Sequence, residues 1–135
     1  MPGRFIYHDV AQIVDCRRQP QILFVFGDNM LGFGRAGQAC IRGEANAFGI
    51  PTKRAPGHAP VDYFSDKDAA PETPARRRID AEFTTLLAAL RGGATVSFPR
   101  AGIGTGLAQL PQRAPAVAAL IAEWVERLRE ETQKA

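Results

Sequence analysis

The chain has 135 residues, 45% hydrophobic and 23% charged, with a formal net charge of +3. That length suits one domain spanning residues 1–135, with enough chain to bury a core, and the composition lies far from the signature of disorder. The N-terminal MPGRFIYHDV lacks a signal-peptide core, and no apolar run approaches the roughly 20 residues that cross a bilayer, so the expectation is a cytoplasmic protein with no membrane partner.

In chain order, Phe5-Ile6-Tyr7 is a short β-prone run, and Ile22-Leu23-Phe24-Val25-Phe26 reads as a fully buried strand closed by Gly27. After a loop with Gly32 and Gly34, the segment from about Gly37 to Ala47 predicts a short helix ended by Gly49. Phe48-Gly49-Ile50-Pro51 predicts a further short strand. Residues 55 to 75, with four prolines and several charges, predict a long surface loop.

From Arg76 to Leu90 the apolar positions Ile79, Phe83, Leu86, Leu87 and Leu90 recur at helical spacing until Gly92-Gly93. Ala94 to Phe98 reads as a strand and Pro99 to Leu110 as a glycine-rich loop. Val117, Leu120, Ile121, Trp124, Val125 and Leu128 form one face of a terminal helix, with Trp124 in the core rather than stacked on a base. Strands alternating with helices predict an α/β three-layer sandwich, its sheet mixed but mostly parallel and covered by helices on both faces.

Two loops carry the candidate chemistry. In open α/β sheets ligands bind beyond the carboxyl ends of the strands, where backbone amides hold anions. The first loop runs from Gly27 to Gly37 after a buried strand, and the second from Pro99 to Leu107 after another. Glycine permits positive φ and lets N–H groups approach phosphate oxygens unobstructed. The two loops together predict a pyrophosphate clamp, which the small positive charge also suits.

Gly32-x-Gly34-x-x-Gly37 also matches a dinucleotide-binding fingerprint, so an NAD(P)-binding Rossmann-like domain is the alternative. Against it, Arg54 stands where a ribose-binding acid belongs. No Gly-Lys-Ser/Thr follows the glycines, which excludes a P-loop. A further alternative is a nucleic-acid or protein interaction module with Arg17, Arg18 and Arg76 to Arg78 as a basic face, set against the plainer reading of Arg76 to Arg78 as a solvated helix start.

The motif order resembles the macrodomain family, whose members bind ADP-ribose and in some branches hydrolyse its esters. Asn29-Met30-Leu31-Gly32-Phe33-Gly34-Arg35-Ala36-Gly37 resembles the family's run from a ribose-contacting asparagine into its first glycine loop, and Phe98-Pro99-Arg100-Ala101-Gly102-Ile103-Gly104-Thr105-Gly106 resembles its phosphate loop. Ile50-Pro51-Thr52-Lys53-Arg54-Ala55 is similar to the terminal ADP-ribose glycohydrolases that remove ADP-ribose from glutamate. The resemblance thus implies an ADP-ribose-type ligand, free or attached to protein or nucleic acid. It implies contacts from Asp9, Asn29, Gly32, Gly34, Gly37, Gln38, Thr52, Arg100, Gly102, Ile103, Gly104, Thr105, Gly106 and Leu107, to which Asp28, without a clear counterpart in the family, is added from its place at the strand end.

In that branch a lysine and an aspartate perform the chemistry. Lys53 falls at the lysine, but the aspartate's place is held by Ala108, which predicts binding with weak or absent hydrolysis. Asp9 matches the family's adenine-contacting aspartate, with a solvated strand end as its alternative. Asn29 and Asp28 equally suit a turn, since both side chains satisfy nearby amides. Asp28 would otherwise reach a ribose hydroxyl or replace the missing acid, and Lys53 next to Arg54 is otherwise a basic surface pair.

His8 and His58 lack metal-ligand spacing, and Cys16 and Cys40 form no CxxC pair, so neither a metal nor a cofactor is expected. Both cysteines are expected reduced, Cys40 in the core. His58, Ser65 and Asp66 are residue types of a nucleophilic triad without the Gly-x-Ser-x-Gly elbow.

Overall fold

The structure is a computed structural model and describes residues 3–133. Four strands, β1 (Arg4–His8), β2 (Ile22–Asn29), β3 (Ala47–Lys53) and β4 (Thr95–Pro99), form one sheet in the order β1-β4-β2-β3. Every pair in it is parallel. The expected three-layer α/β sandwich forms on this sheet, and the runs at Phe5, Ile22 and Val96 are its strands.

Alternation along the strands sends side chains to two cores. Leu23 and Val25, Val96 and Phe98, and Phe48 and Ile50 face the larger core, where α2 (Pro74–Arg91) and, after the one-turn α3 (Leu110–Arg113), α4 (Pro115–Thr132) bury Ile79, Phe83, Leu86, Leu120, Trp124 and Leu128. Ile22, Phe24 and Phe26 face the opposite core, closed by Cys16 on α1 (Ile13–Arg18) and by Ala39 and Ile41. The two long helices each begin with proline at their first position, where its missing N–H costs nothing. Trp124 packs flat on Phe83, with ring centroids 5.6 Å apart, and donates from Nε1 to Asp80 at 2.8 Å.

Several expectations need correction. The helix expected from Gly37 to Ala47 is only a 3₁₀ turn, Gly37–Ile41, because Gly37 and Gly43 adopt φ of +59° and +94° and interrupt the α-helical ladder. Helix α1 was not legible, being six residues long. The stretch from 55 to 75 is not wholly a surface loop: it holds two 3₁₀ turns, Pro60–Asp62 and Asp66–Ala69, and buries Tyr63 and Phe64. Two adjacent aromatics gain too much from burial to remain in water. Cys16, not Cys40, is the core thiol, and burial pushes it above its ordinary pKa.

No helix among the described residues is long and apolar enough to cross a membrane. The arginines named as one basic face lie on helices covering opposite faces of the sheet. Arg17 pairs with Glu44, Arg76 with Asp80 and Arg78 with Glu82.

Candidate functional site

Because the strands are parallel, β2, β3 and β4 all deliver their carboxyl ends to one end of the sheet. A cavity of about 360 Å³ opens there, lined by the first loop from Phe33 to Ala39, by Thr52 and Lys53, by Pro56 and His58, and by Gly104, Gly106, Leu107 and Ala108.

The first loop is fixed by side chains beneath it. Asn29 is buried; its Oδ1 accepts from the amides of Leu31 (3.0 Å) and Gly32 (2.9 Å), and its Nδ2 donates to the Phe33 carbonyl at 2.8 Å. Asp28, also buried, accepts from the Asn29 amide at 2.7 Å and pairs with Arg42. Arg42 also donates from Nε to the Gly34 carbonyl at 2.7 Å. Gly49 makes room for this pair, since a Cβ there would lie 2.6 Å from Asp28 Oδ2.

The second loop is tied to the first by Gln38. Its Oε1 accepts from the Gly27 amide at 2.9 Å and its Nε2 donates to the Gly102 carbonyl at 3.0 Å. Gly104, at φ +77°, is pressed against Leu110, and a Cβ would fall 2.3 Å from that residue's Cδ1. Leu107 reaches back to within 3.2 Å of where a Cβ on Gly37 would stand, so the two loops meet across the cavity mouth.

Lys53 closes the floor. A register irregularity between Asp28 and Asn29 brings Asn29 opposite Lys53, whose buried ammonium donates to the Gly57 carbonyl at 2.7 Å. It lies 4.5 Å from the Tyr63 ring centroid, and the Arg113 guanidinium lies 3.8 Å from the same ring. Burial lowers the lysine's pKa; the Asp62 charge opposes that shift and Arg113 adds to it.

Among the described residues, nothing accepts a hydrogen bond from the backbone N–H of Gly34, Arg35, Gly37 and Gln38 in the first loop, nor from that of Gly104, Gly106, Leu107 and Ala108 in the second. All eight residues line the cavity. The cavity wall therefore carries amides without an acceptor from both loops together with Lys53, which is chemistry for holding an anion.

Of the residues singled out from sequence, the cavity gathers Asp28, Asn29, Gly34, Gly37, Gln38, Thr52, Lys53, Gly104, Gly106 and Leu107. Gly32 lies outside it and closes the Asn29 turn. Asp9 pairs with Arg100 at 2.9 Å, both exposed. Arg100, Gly102, Ile103 and Thr105 line a second cavity of about 390 Å³ against α4. The Thr52 hydroxyl donates to the Asp28 carbonyl at 3.1 Å.

Sequence reasoning missed Arg42, Tyr63 and Arg113 as parts of the site and His58 as a residue of its wall. No motif marks them; the signal available was the Tyr63-Phe64 pair within an otherwise polar stretch. Among the described residues, no three His, Cys, Asp or Glu side chains gather as a metal site.

Residues 6–124 match the family described as Family of unknown function (DUF7831), and the chain belongs to it. No curated protein and no solved structure matches the chain.

Proposed function

We propose that the cavity binds ADP-ribose or a related pyrophosphate nucleotide, free or attached to protein or nucleic acid, with the pyrophosphate between the two glycine loops. The carrying observation is the pair of facing loops, eight of whose cavity-lining residues have a backbone N–H with no acceptor among the described residues. Lys53 adds a cation at the floor. The volume of about 360 Å³ is within the range of small-molecule sites, ~300–1,000 Å³. The sequence resemblance to macrodomains points to the same ligand. Phe33 and Leu107, lining the cavity yet largely exposed, give an apolar rim on which a macromolecule carrying the nucleotide would rest.

The test is calorimetric titration with ADP-ribose, NAD and AMP, with Gly106→Glu in parallel. Gly106 lines the cavity, and a Cβ there meets nothing within 4 Å, so the carboxylate enters the anion site without disturbing the fold. ADP-ribose is expected to bind more tightly than AMP and to weaken by about tenfold or more in the variant, through charge repulsion. Equal affinity for ADP-ribose and AMP would sink the reading, and a preference for NAD would favour the Rossmann-like alternative.

A further inference from the structure

We propose that Arg42, with Asp28 beneath it, is a positioning residue that aims the first loop's amides at the ligand's phosphate; the inference rests on the nucleotide-binding reading above. Arg42 does not line the cavity, whereas Gly34 and Arg35 do. Its guanidinium holds the Gly34 carbonyl at 2.7 Å, and the Phe33 carbonyl is held by Asn29 at 2.8 Å and approached by Arg42 at 3.4 Å. In a trans peptide the carbonyl and the following N–H point in opposite directions, and the described residues contain no cis bond. Carbonyls turned toward Arg42 therefore turn the N–H groups of Gly34 and Arg35 away from it, to the cavity side.

The strut is braced on every side. Asp28 fixes the guanidinium from β2, the Phe26 ring lies 5.4 Å from its central carbon, and Gly49 leaves the space the carboxylate needs. Such preorganisation matters because each donor placed before binding spares the ligand the cost of ordering the loop.

Two variants test this. Arg42→Lys keeps a cation beside Asp28 but loses the planar fork that serves carboxylate and carbonyls together. Arg42→Gln combined with Asp28→Asn removes both charges, so that no carboxylate is left buried and unpaired. Backbone ¹⁵N order parameters are measured without ligand, and inorganic pyrophosphate and ADP-ribose are titrated by ¹⁵N-resolved NMR. Lower order parameters at Gly34 and Arg35 are expected in both variants, with those of β1 and β4 unchanged. Affinity for pyrophosphate should fall about tenfold, the worth of one or two aimed donors. Pyrophosphate-induced shifts should vanish at Gly34 and Arg35 but persist at Gly106, a selective loss that general destabilisation does not produce. Wild-type order parameters at Gly34 and Arg35 in either folded variant overturn the strut whatever binds. A wild-type protein that ignores pyrophosphate and ADP-ribose overturns the binding reading instead, and with it the purpose assigned to Arg42.

Discussion

Gly104 and Gly106 stand two residues apart in the same loop but answer to different constraints. At Gly104 a side chain meets both a left-handed φ of +77° and the Leu110 side chain 2.3 Å away, whereas Gly106 faces open space. Gly104→Ala should therefore cost about 2–4 kcal/mol in urea denaturation, from backbone strain plus overpacking, while Gly106→Ala should fall within about 0.5 kcal/mol of wild type. Equal losses at the two positions would show that the Leu110 contact relaxes freely. Lys53 is governed by its surroundings in the same way. Burial holds its pKa below the ordinary 10.5, with Arg113 acting in the same direction and Asp62 opposing. Below the lowered pKa the amine is charged in both states and the folded state bears the full desolvation cost. As pH rises through that value toward 10.5 the folded state releases its proton first, so this residue's contribution to stability rises with pH across the window. Arg113→Gln should move the Lys53 titration upward and Asp62→Asn downward, read from the ¹³C resonance of the dimethylated lysine. A shift of either variant in the opposite direction would remove Arg113 and Asp62 as the controlling charges.

The elements differ in how plainly they are written in the chain. Helices α2 and α4 announce themselves by apolar residues at helical spacing, because each lays one stripe on the sheet. The interface between them suggests a direct test: Trp124 is stacked between Phe83 and the Arg127 guanidinium, 4.1 Å from its ring, and is bonded to Asp80. Trp124→Ala should destabilise by about 3–5 kcal/mol. Trp124→Phe keeps the stack and loses a hydrogen bond whose acceptor still has Arg76, so it should cost about 1 kcal/mol. Chemical denaturation of both variants checks the ordering, and a phenylalanine as damaging as alanine would make the Asp80 bond the main contribution. Strand β2 was equally legible as an uninterrupted apolar run, since a central parallel strand is buried on both faces. The 3₁₀ turn at Gly37 was not, because composition alone does not separate a short helix from a turn whose glycines take positive φ. Nor were the fold-back of Tyr63 onto Lys53 and the reach of Arg42 to Asp28: both join residues 10 or more apart, through rings and guanidinium groups that no local pattern registers.

At the scale of the whole molecule, one end of a parallel sheet carries both glycine loops and Lys53, and the remaining question is whether that end performs chemistry. In the lysine-aspartate scheme implied by the resemblance, an amine attacks the ribose anomeric carbon and displaces the glutamate carboxylate, a second carboxyl group assists the proton transfers, and water then releases ADP-ribose from the amine. The amine's requirement is approached only in that burial and the Arg113 charge lower the Lys53 pKa against the opposing Asp62 charge. The acid's is not: Ala108 occupies the corresponding place on the cavity wall, Asp28 is committed to Arg42, and Asp62 accepts from the Ala59 amide at 3.0 Å. Positioned acid-base assistance is worth about 10²–10⁴ in rate, so the wild-type protein should bind ADP-ribose while releasing it from a glutamate-linked substrate slowly or not at all. Ala108→Asp should raise the release rate by up to about 10², and adding Lys53→Ala should abolish the gain with little loss of folding. Following free ADP-ribose by chromatography over the wild type, both single variants and the double variant decides the matter. Rapid wild-type release that Lys53→Ala abolishes would show that another group supplies the acid. No gain in a well-folded, ligand-binding Ala108→Asp variant would mean that position 108 does not face the scissile bond, leaving Lys53 as a contact to phosphate or ribose.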